Sequence, residues 1–312
     1  MKIILISGFL GAGKTTFIKK FTEQLEGRVA ILENDFGSIG VDKDFLLSEK
    51  TIIDEQIFEL IDGCICCSKK IDFSQSVLTI SNSLDIDYLI IESSGVALTN
   101  KILDNLNKIR YERIKILPPI MIIDGIHYEK NMLEYPEYFI NQIKYAGSVL
   151  VSHSEEYSKN DYDKIRRDLN INDSIYYPNR HYENFTDLDW GNLYNSELYS
   201  VENEKDSQEH SFKYKSVKLV KNEATFEHFS LNNFKFYNIQ HLLLFFELII
   251  NKAFGNIIRA KGYCKLGDKS SVKFDLVGSD YVITGCEDNA GQKLLLIGNN
   301  FKTDLIEKII IE

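Results

Sequence analysis

Residues 6 to 16, ISGFLGAGKTT, restrict the fold of this chain more than any other stretch. They fit the spacing G-x-x-x-x-G-K-[ST] through Gly8, Gly13, Lys14 and Thr15, between an apolar run, KIILIS, and a helix-like segment, KTTFIKKFTEQL. A strand that passes through glycines into a helix can wrap its backbone round a phosphate. Glycine accepts left-handed dihedrals that aim successive N–H groups inward, and the helix adds its positive end. Gly8, Gly11, Ala12, Gly13, Lys14, Thr15 and Thr16 are therefore the candidate phosphate-binding residues. Lys14 would offset charge on β- and γ-phosphates, and the Thr15 hydroxyl would hold a bridging Mg2+. The alternative, a glycine turn with a chance lysine, must meet the motif, strand and helix conditions by accident.

The runs RVAILEND, DYLIIESS, PPIMIIDG and SVLVSHS are strand-like and separated by helix-length stretches. Crossovers of that length imply an α/β fold with a mostly parallel sheet covered on both faces. A length of 312 residues suggests two domains. The polar, acidic stretch WGNLYNSELYSVENEKDSQEHS marks a connection, which divides the chain into a nucleotide-binding domain at 1–190, a linker at 191–211 and a small α+β domain at 212–312. A formal charge of -10 argues against general nucleic-acid or anionic-membrane binding. The apolar runs MKIILISGF and HLLLFFELII are too short for a signal-peptide core and a membrane span respectively. Five cysteines, three of them packed into residues 64 to 67, make a poor disulfide framework and point to reduced thiols in the cytoplasm.

A triphosphate site needs an acid at a neighbouring strand end to hold the metal or its water. DYLIIESSG supplies Glu92, with Gly95 completing E-x-x-G, and ILENDFGS offers Glu33 and Asp35. Either of the latter could face the metal, and loop or helix capping by Asn34 or Asp35 is the competing role. In GCICC, Cys64, Cys66 and Cys67 form a soft ligand set suited to Zn2+, with a fourth ligand from a carboxylate, histidine or water. Buried cysteines packed as small hydrophobes, or a redox role for the adjacent pair, are the other readings. Cys264 and Cys286, alone in strand-like segments, are expected to be packing residues.

Together GFLGAGKTT, ENDFGSIGVD, GCICC, IIESSG and the late IIRAKG and LLLIG stretches resemble the CobW-type P-loop GTPases, relatives of the HypB and UreG metallocentre maturation proteins. That resemblance implies a P-loop domain followed by a CobW-type C-terminal domain. It implies GTP, Mg2+ and Zn2+ as ligands and delivery of Zn2+ or a similar ion to a client metalloprotein, coupled to GTP hydrolysis; that hydrolysis is expected to be slow, since no arginine finger or water-positioning glutamine can be picked out, and a homo-oligomer is a further expectation. Cys64, Cys66 and Cys67 become the metal site, and Lys14 and Glu92 the catalytic residues. The chain departs from the family in two places. Asp35 stands third in its E-N-E-F-G-E pattern, Ser38 replaces the acid after the glycine, and Asp42 remains. The guanine-reading N-K-x-D is replaced by Ser152, His153, Ser154 and Glu155. Glu155 could still accept hydrogen bonds from guanine, and His153 could stack on the base. If they do not, the protein would be a nucleotide and metal sensor with relaxed GTP or ATP preference and little catalysis. Asp124 in IIDG supports the alignment, His127 is expected at the surface, and Arg259, Lys261 and Gly262 are assigned to strand pairing before ligand binding.

Overall fold

KIILIS is apolar at nearly every position, the pattern of a strand buried on both faces rather than one. The structure, a computed structural model, describes residues 1–34, 57–59, 70–110, 113–195, 226–267, 270–286 and 292–310. Asp35, Ser38, Asp42, Cys64, Cys66 and Cys67 lie outside the described residues.

In the first compact unit, Met1–Lys218, seven strands among the described residues form one sheet: β1 (Lys2–Ser7), β2 (Val29–Asn34), β3 (Ile57–Glu59), β4 (Tyr88–Ser93), β5 (Lys115–Ile116), β6 (Ile120–Asp124) and β7 (Ser148–Ser152). Their order is β3-β2-β4-β1-β6-β7, with short β5 beside β1, and every pairing is parallel. All carboxyl ends thus open on one edge, where an α/β sheet builds its site.

The helices of this unit are α1 (Lys14–Thr22), α2 (Lys70–Ser83), α3 (Thr99–Lys108), α4 (Tyr128–Glu134), α5 (Pro136–Lys144), α6 (Lys159–Asp168) and α7 (Asp187–Tyr194). Alternation along β1 sends Ile4 and Ile6 to one core with Phe17, Phe21, Trp190 and Leu193, and Ile3 and Leu5 to the other with Phe73, Val77, Ile102 and Leu106. Phe17 and Phe21 stack at 5.3 Å, and Trp190 lies 6.2 Å and 6.1 Å from them, so α7 is fastened to α1. Thr186 starts α7 with a capping box. Its hydroxyl donates to Asp189 Oδ2 at 2.7 Å and accepts the Asp189 N–H at 3.3 Å. Gly191–Tyr194, where the sequence places the start of a linker, are therefore the end of a packed helix, with Leu193 wholly buried. The scattered apolar pattern hid a helix held by two large side chains rather than by a continuous stripe.

The second compact unit, Leu219–Glu312, carries a second sheet. β8 (Glu227–Asn232), β10 (Asn256–Leu266), β11 (Ser271–Val277), β12 (Asp280–Gly285) and β13 (Lys293–Asn299) run antiparallel in the order β12-β11-β10-β13-β8, and β9 (Lys235–Phe236) joins β10 in parallel. Helices α8 (Ile239–Ile250) and α9 (Thr303–Ile310) cover one face, burying Phe236, Phe245, Phe246, Phe274, Leu296 and Ile306. Asn238 caps α8 by accepting the His241 N–H at 2.9 Å. The RAKG stretch lies in the middle of β10 and pairs on both sides. Arg259 forms a two-pronged pair with Asp275 at 3.1 and 2.9 Å, and a Cβ on Gly262 would sit 2.4 Å from the Lys293 carbonyl oxygen. Cys264 is buried in this core, and burial pushes its thiol pKa up to about 12, which fits a packing residue. Among the described residues no helix is long and apolar enough to cross a membrane.

Candidate functional site

The turn from β1 into α1 has the backbone its glycines predict. Gly8, Gly11 and Gly13 adopt φ of 147°, 73° and 77°, values that L side chains rarely adopt. At Gly8 a Cβ would stand 2.4 Å from the Ile122 carbonyl oxygen, so a side chain is excluded there by both dihedral and space. Gly13 caps α1 without a side chain and no acid occupies the first turn, which leaves the helix end suited to an anion. Lys14, only 7% exposed, folds back so that Nζ donates to the carbonyl oxygens of Gly8 at 3.0 Å and Phe9 at 3.1 Å. The cation is thereby fixed across the loop that carries it. Thr16 follows Thr15 in the first turn of α1.

Glu92 lies near the end of β4, beside Ile6 of β1 in the ladder, and this register carries its carboxylate to the start of α1. Thr15 Oγ1 donates to Glu92 at 2.9 Å to Oε1 and 3.1 Å to Oε2. Glu33 of β2 is buried and in register with Glu92. Hydroxyl and carboxylate oxygens form a hard donor set, which fits Mg2+ and not a soft ion. Asp35 and the three thiols of GCICC lie outside the described residues, and among the described residues no group of three or more His, Cys, Asp or Glu could hold a metal.

Gly95 closes the E-x-x-G turn against the phosphate loop. A Cβ there would be 2.5 Å from the Leu10 nitrogen and 2.8 Å from its Cα. Gly95→Ala is expected to cost about 1–3 kcal/mol through overpacking and to weaken triphosphate binding, since the atoms displaced are phosphate-loop backbone. Gly191→Ala is the control. Its Cβ would meet only Asn195 Nδ2, at 3.7 Å, in a helix, so it should stabilise by roughly 0.5–1 kcal/mol. Denaturation midpoints and nucleotide titrations on the two variants check the contrast.

At the other side of the loop, β7 ends in the SHSE stretch, whose first three residues are held by hydrogen bonds. Ser152 Oγ reaches the carbonyl oxygens of Ala12 at 2.9 Å and Ile123 at 3.1 Å, tying this strand end to the phosphate loop. His153, at φ 50°, bonds Asp124 Oδ1 through Nδ1 at 3.0 Å. Ser154, buried, bonds the Val151 carbonyl oxygen at 2.8 Å and the Tyr162 hydroxyl at 2.9 Å. Glu155, mostly exposed, lies 3.5 Å from His181 Nε2.

Asp124, 6% exposed, is more than a marker of alignment. It also accepts the Ile126 N–H at 3.0 Å, and His127 Nδ1 lies 2.8 Å from its Oδ2, so His127 is tethered at the site rather than a plain surface residue. Burial acts to raise the Asp124 pKa, but the bonds to His153 and His127 outweigh it and hold the carboxyl below its ordinary value. The same bond to Asp124 raises the His153 pKa. A raised histidine stabilises the fold fully below its ordinary 6.5 and loses that contribution as pH climbs through the folded value. A depressed carboxyl stabilises above its ordinary 3.8 and loses this as pH falls. The pair contributes most between those two values. His153→Gln should therefore lower thermal stability more at pH 6 than at pH 8.5; equal losses at both would contradict the pairing.

His181, which the sequence reading did not single out, lies 3.5 Å from Glu155 at the end of the SHSE stretch. It is 3% exposed, precedes the short 3-10 turn Tyr182–Asn184, and lies against the Tyr182 ring at 4.0 Å. Burial holds its pKa below the ordinary histidine value, so the ring is neutral at physiological pH. Nothing in the local sequence HYENF distinguishes it from a core histidine; only its approach to Glu155 does.

The family model described as CobW/HypB/UreG, nucleotide-binding domain, matches residues 2–175. The zinc chaperone YjiA of Escherichia coli (strain K12) is 30% identical over 161 residues, 49% of this chain and 49% of that protein. The zinc-regulated GTPase metalloprotein activator 1 of Dictyostelium discoideum is 32% identical over 109 residues, 31% of this chain and 22% of that protein. The chain thus spans about half or less of the length of these curated relatives. Among solved structures, Zn(II)-bound YjiA GTPase from E. coli aligns over 99% of this chain and 97% of that one, at 16% identity and a TM-score of 0.38.

Proposed function

The chain belongs to the CobW/HypB/UreG family through its nucleotide-binding domain, and on that premise we propose that it is a GTP-binding, slowly GTP-hydrolysing metallochaperone. Nucleotide state would govern its hold on Zn2+, or a similar ion, bound for a client metalloprotein. The observation that carries this reading is the Thr15–Glu92 contact at 2.9 Å beside the buried Lys14, all at the mouth of a loop whose glycines have left-handed dihedrals. The relatives named zinc chaperone and zinc-regulated GTPase supply the direction of the metal reading.

Each residue has a separable task. The loop amides and the α1 end bind phosphate oxygens. Lys14, preset by its two carbonyl contacts, offsets the β/γ charge without reorganising when nucleotide arrives. Thr15 and Glu92 would hold Mg2+, directly or through water, and the ion when bound would neutralise charge between the β- and γ-phosphates. Hydrolysis would be slow because neither GFLGAGKTT nor ESSG contains an arginine or a glutamine to stabilise the transferred group or orient water. A client could supply that group. Cys64, Cys66 and Cys67 are proposed to hold the cargo ion, in the reducing cytoplasm, with no role for nucleic acid or membrane. Self-association of the chain is part of the same proposal.

The test is GTP hydrolysis followed by phosphate release with and without Mg2+ on the full chain. Slow turnover that requires Mg2+ is the expected result. Tight GTP binding with no turnover would favour a sensor, and no triphosphate binding would remove the proposal altogether.

A further inference from the structure

We propose that His181 is a positioning residue that holds Glu155 to read the Watson–Crick edge of guanine, in place of the asparagine and lysine that this loop lacks. The inference rests on the reading of the phosphate loop as a GTP site.

The SHSE stretch is anchored within hydrogen-bond reach of the phosphate loop, since Ser152 bonds the Ala12 carbonyl oxygen and a Cβ on Gly13 would meet the Ser152 side chain at 3.6 Å. A nucleoside whose phosphates occupy the loop would extend along the carboxyl edge of the sheet, where β6 and β7 end. Of the four side chains, those of Ser152 and Ser154 are buried and bonded to backbone, and His153 is tied to Asp124 by its Nδ1 edge. Glu155 is left to face the ligand, with its side chain 62% exposed.

A long, exposed carboxylate discriminates poorly unless something fixes it, because rotamer freedom is lost on binding. His181 supplies the fixing group. Its Nδ1 accepts the Glu183 N–H at 3.3 Å, so in the neutral ring the proton sits on Nε2 and points outward as a donor. That Nε2 is buried and has no hydrogen-bond partner at normal length. Glu155 Oε1 lies 3.5 Å away, a few tenths of an ångström from a hydrogen bond. Contact with Tyr182 at 4.0 Å keeps the ring from turning aside. One carboxylate oxygen can be held by His181 while the group accepts guanine N1–H and the 2-amino group. Adenine offers an acceptor at N1 and no 2-amino group, so the same carboxylate would oppose a lone pair. Inosine keeps N1–H and lacks the amino group, which makes it a probe of carboxylate placement.

The experiment measures dissociation constants of GTP, ITP and ATP for the full chain and for His181→Gln, His181→Phe and Glu155→Ala, comparing ratios within each protein so that general losses of affinity cancel. Glutamine places its amide nitrogen near the position of Nε2 and keeps a donor; phenylalanine fills the space without one. The native chain should favour GTP over ITP and ATP by ~10-fold or more. His181→Gln should keep that ratio, and His181→Phe and Glu155→Ala should bring it near 1. If His181→Phe does not fold, His181→Ala, which also lacks a donor, takes its place and should bring the ratio near 1; full discrimination in it removes His181 from the account. A native ratio near 1 with tight binding overturns the base reading while leaving the phosphate site intact. No triphosphate binding at all overturns both. Full discrimination in His181→Phe, or its loss in His181→Gln, removes His181 from the account.

Discussion

Lys14→Ala is expected to weaken triphosphate binding by ~100-fold or more, within the about 2–5 kcal/mol lost on removing one partner of a buried charged contact. Two effects act in the same direction. The ammonium proposed to offset the β- and γ-phosphates disappears, and the Gly8 and Phe9 carbonyl oxygens, which accept from Nζ at 3.0 and 3.1 Å, lose that donor at the point where the loop turns. Because Lys14 is 7% exposed, little water is present to replace it. Calorimetric titration with a non-hydrolysable triphosphate and with the diphosphate separates the contributions. A loss larger for the triphosphate identifies charge neutralisation at the γ-phosphate; equal losses identify the loop geometry.

Glu92→Gln is expected to lower Mg2+-dependent hydrolysis by roughly 100-fold, comparable to removal of a preorganised electrostatic group, while leaving most nucleotide affinity. The amide is nearly isosteric and can still accept the Thr15 hydroxyl, which now donates to both Glu92 oxygens at 2.9 and 3.1 Å. It carries no charge, so the carboxylate's contribution to the metal and its water is what is removed. Titrating turnover against Mg2+ should show a much higher half-saturating concentration for the variant. Unchanged Mg2+ dependence would mean that Glu92 holds Thr15 and has no part in the metal's environment.

The two halves of this site differed in how far the sequence exposed them. The phosphate loop is a local device. KIILIS, the glycines at 8, 11 and 13, Lys14 and the α1 helix follow one another in the chain, so their spacing is the structure. Glu92 was legible for a related reason, since a carboxylate near the end of a buried parallel strand must reach the edge where the other strands end. The SHSE side is built from distant pieces. Asp124 ends β6, His153 follows β7, and His181 comes after the bridge of Ser148 with Tyr176, so their meeting depends on strand order and not on spacing. A histidine with an ordinary local sequence carries no sign of that meeting. SHSE reads in the sequence as a departure from N-K-x-D with relaxed base preference; in the fold Ser152, His153 and Ser154 are hydrogen-bonded in place and Glu155 lies 3.5 Å from His181. Likewise α7 escaped notice because Trp190 and Leu193, rather than a repeating stripe, hold it to α1.

In the proposed function GTP and Zn2+ binding are linked, and linkage has a reciprocal signature: whatever factor one ligand imposes on the other must be returned. The most direct measurement is the GTP dissociation constant of metal-free protein with and without Zn2+, repeated on Cys66→Ala/Cys67→Ala. A shift of ~5-fold or more that vanishes in the cysteine variant is the predicted result, corresponding to about 1 kcal/mol of coupling. Equal GTP affinity with and without Zn2+ in the native chain would contradict it, and the thiols and the phosphate loop would then be two unconnected sites.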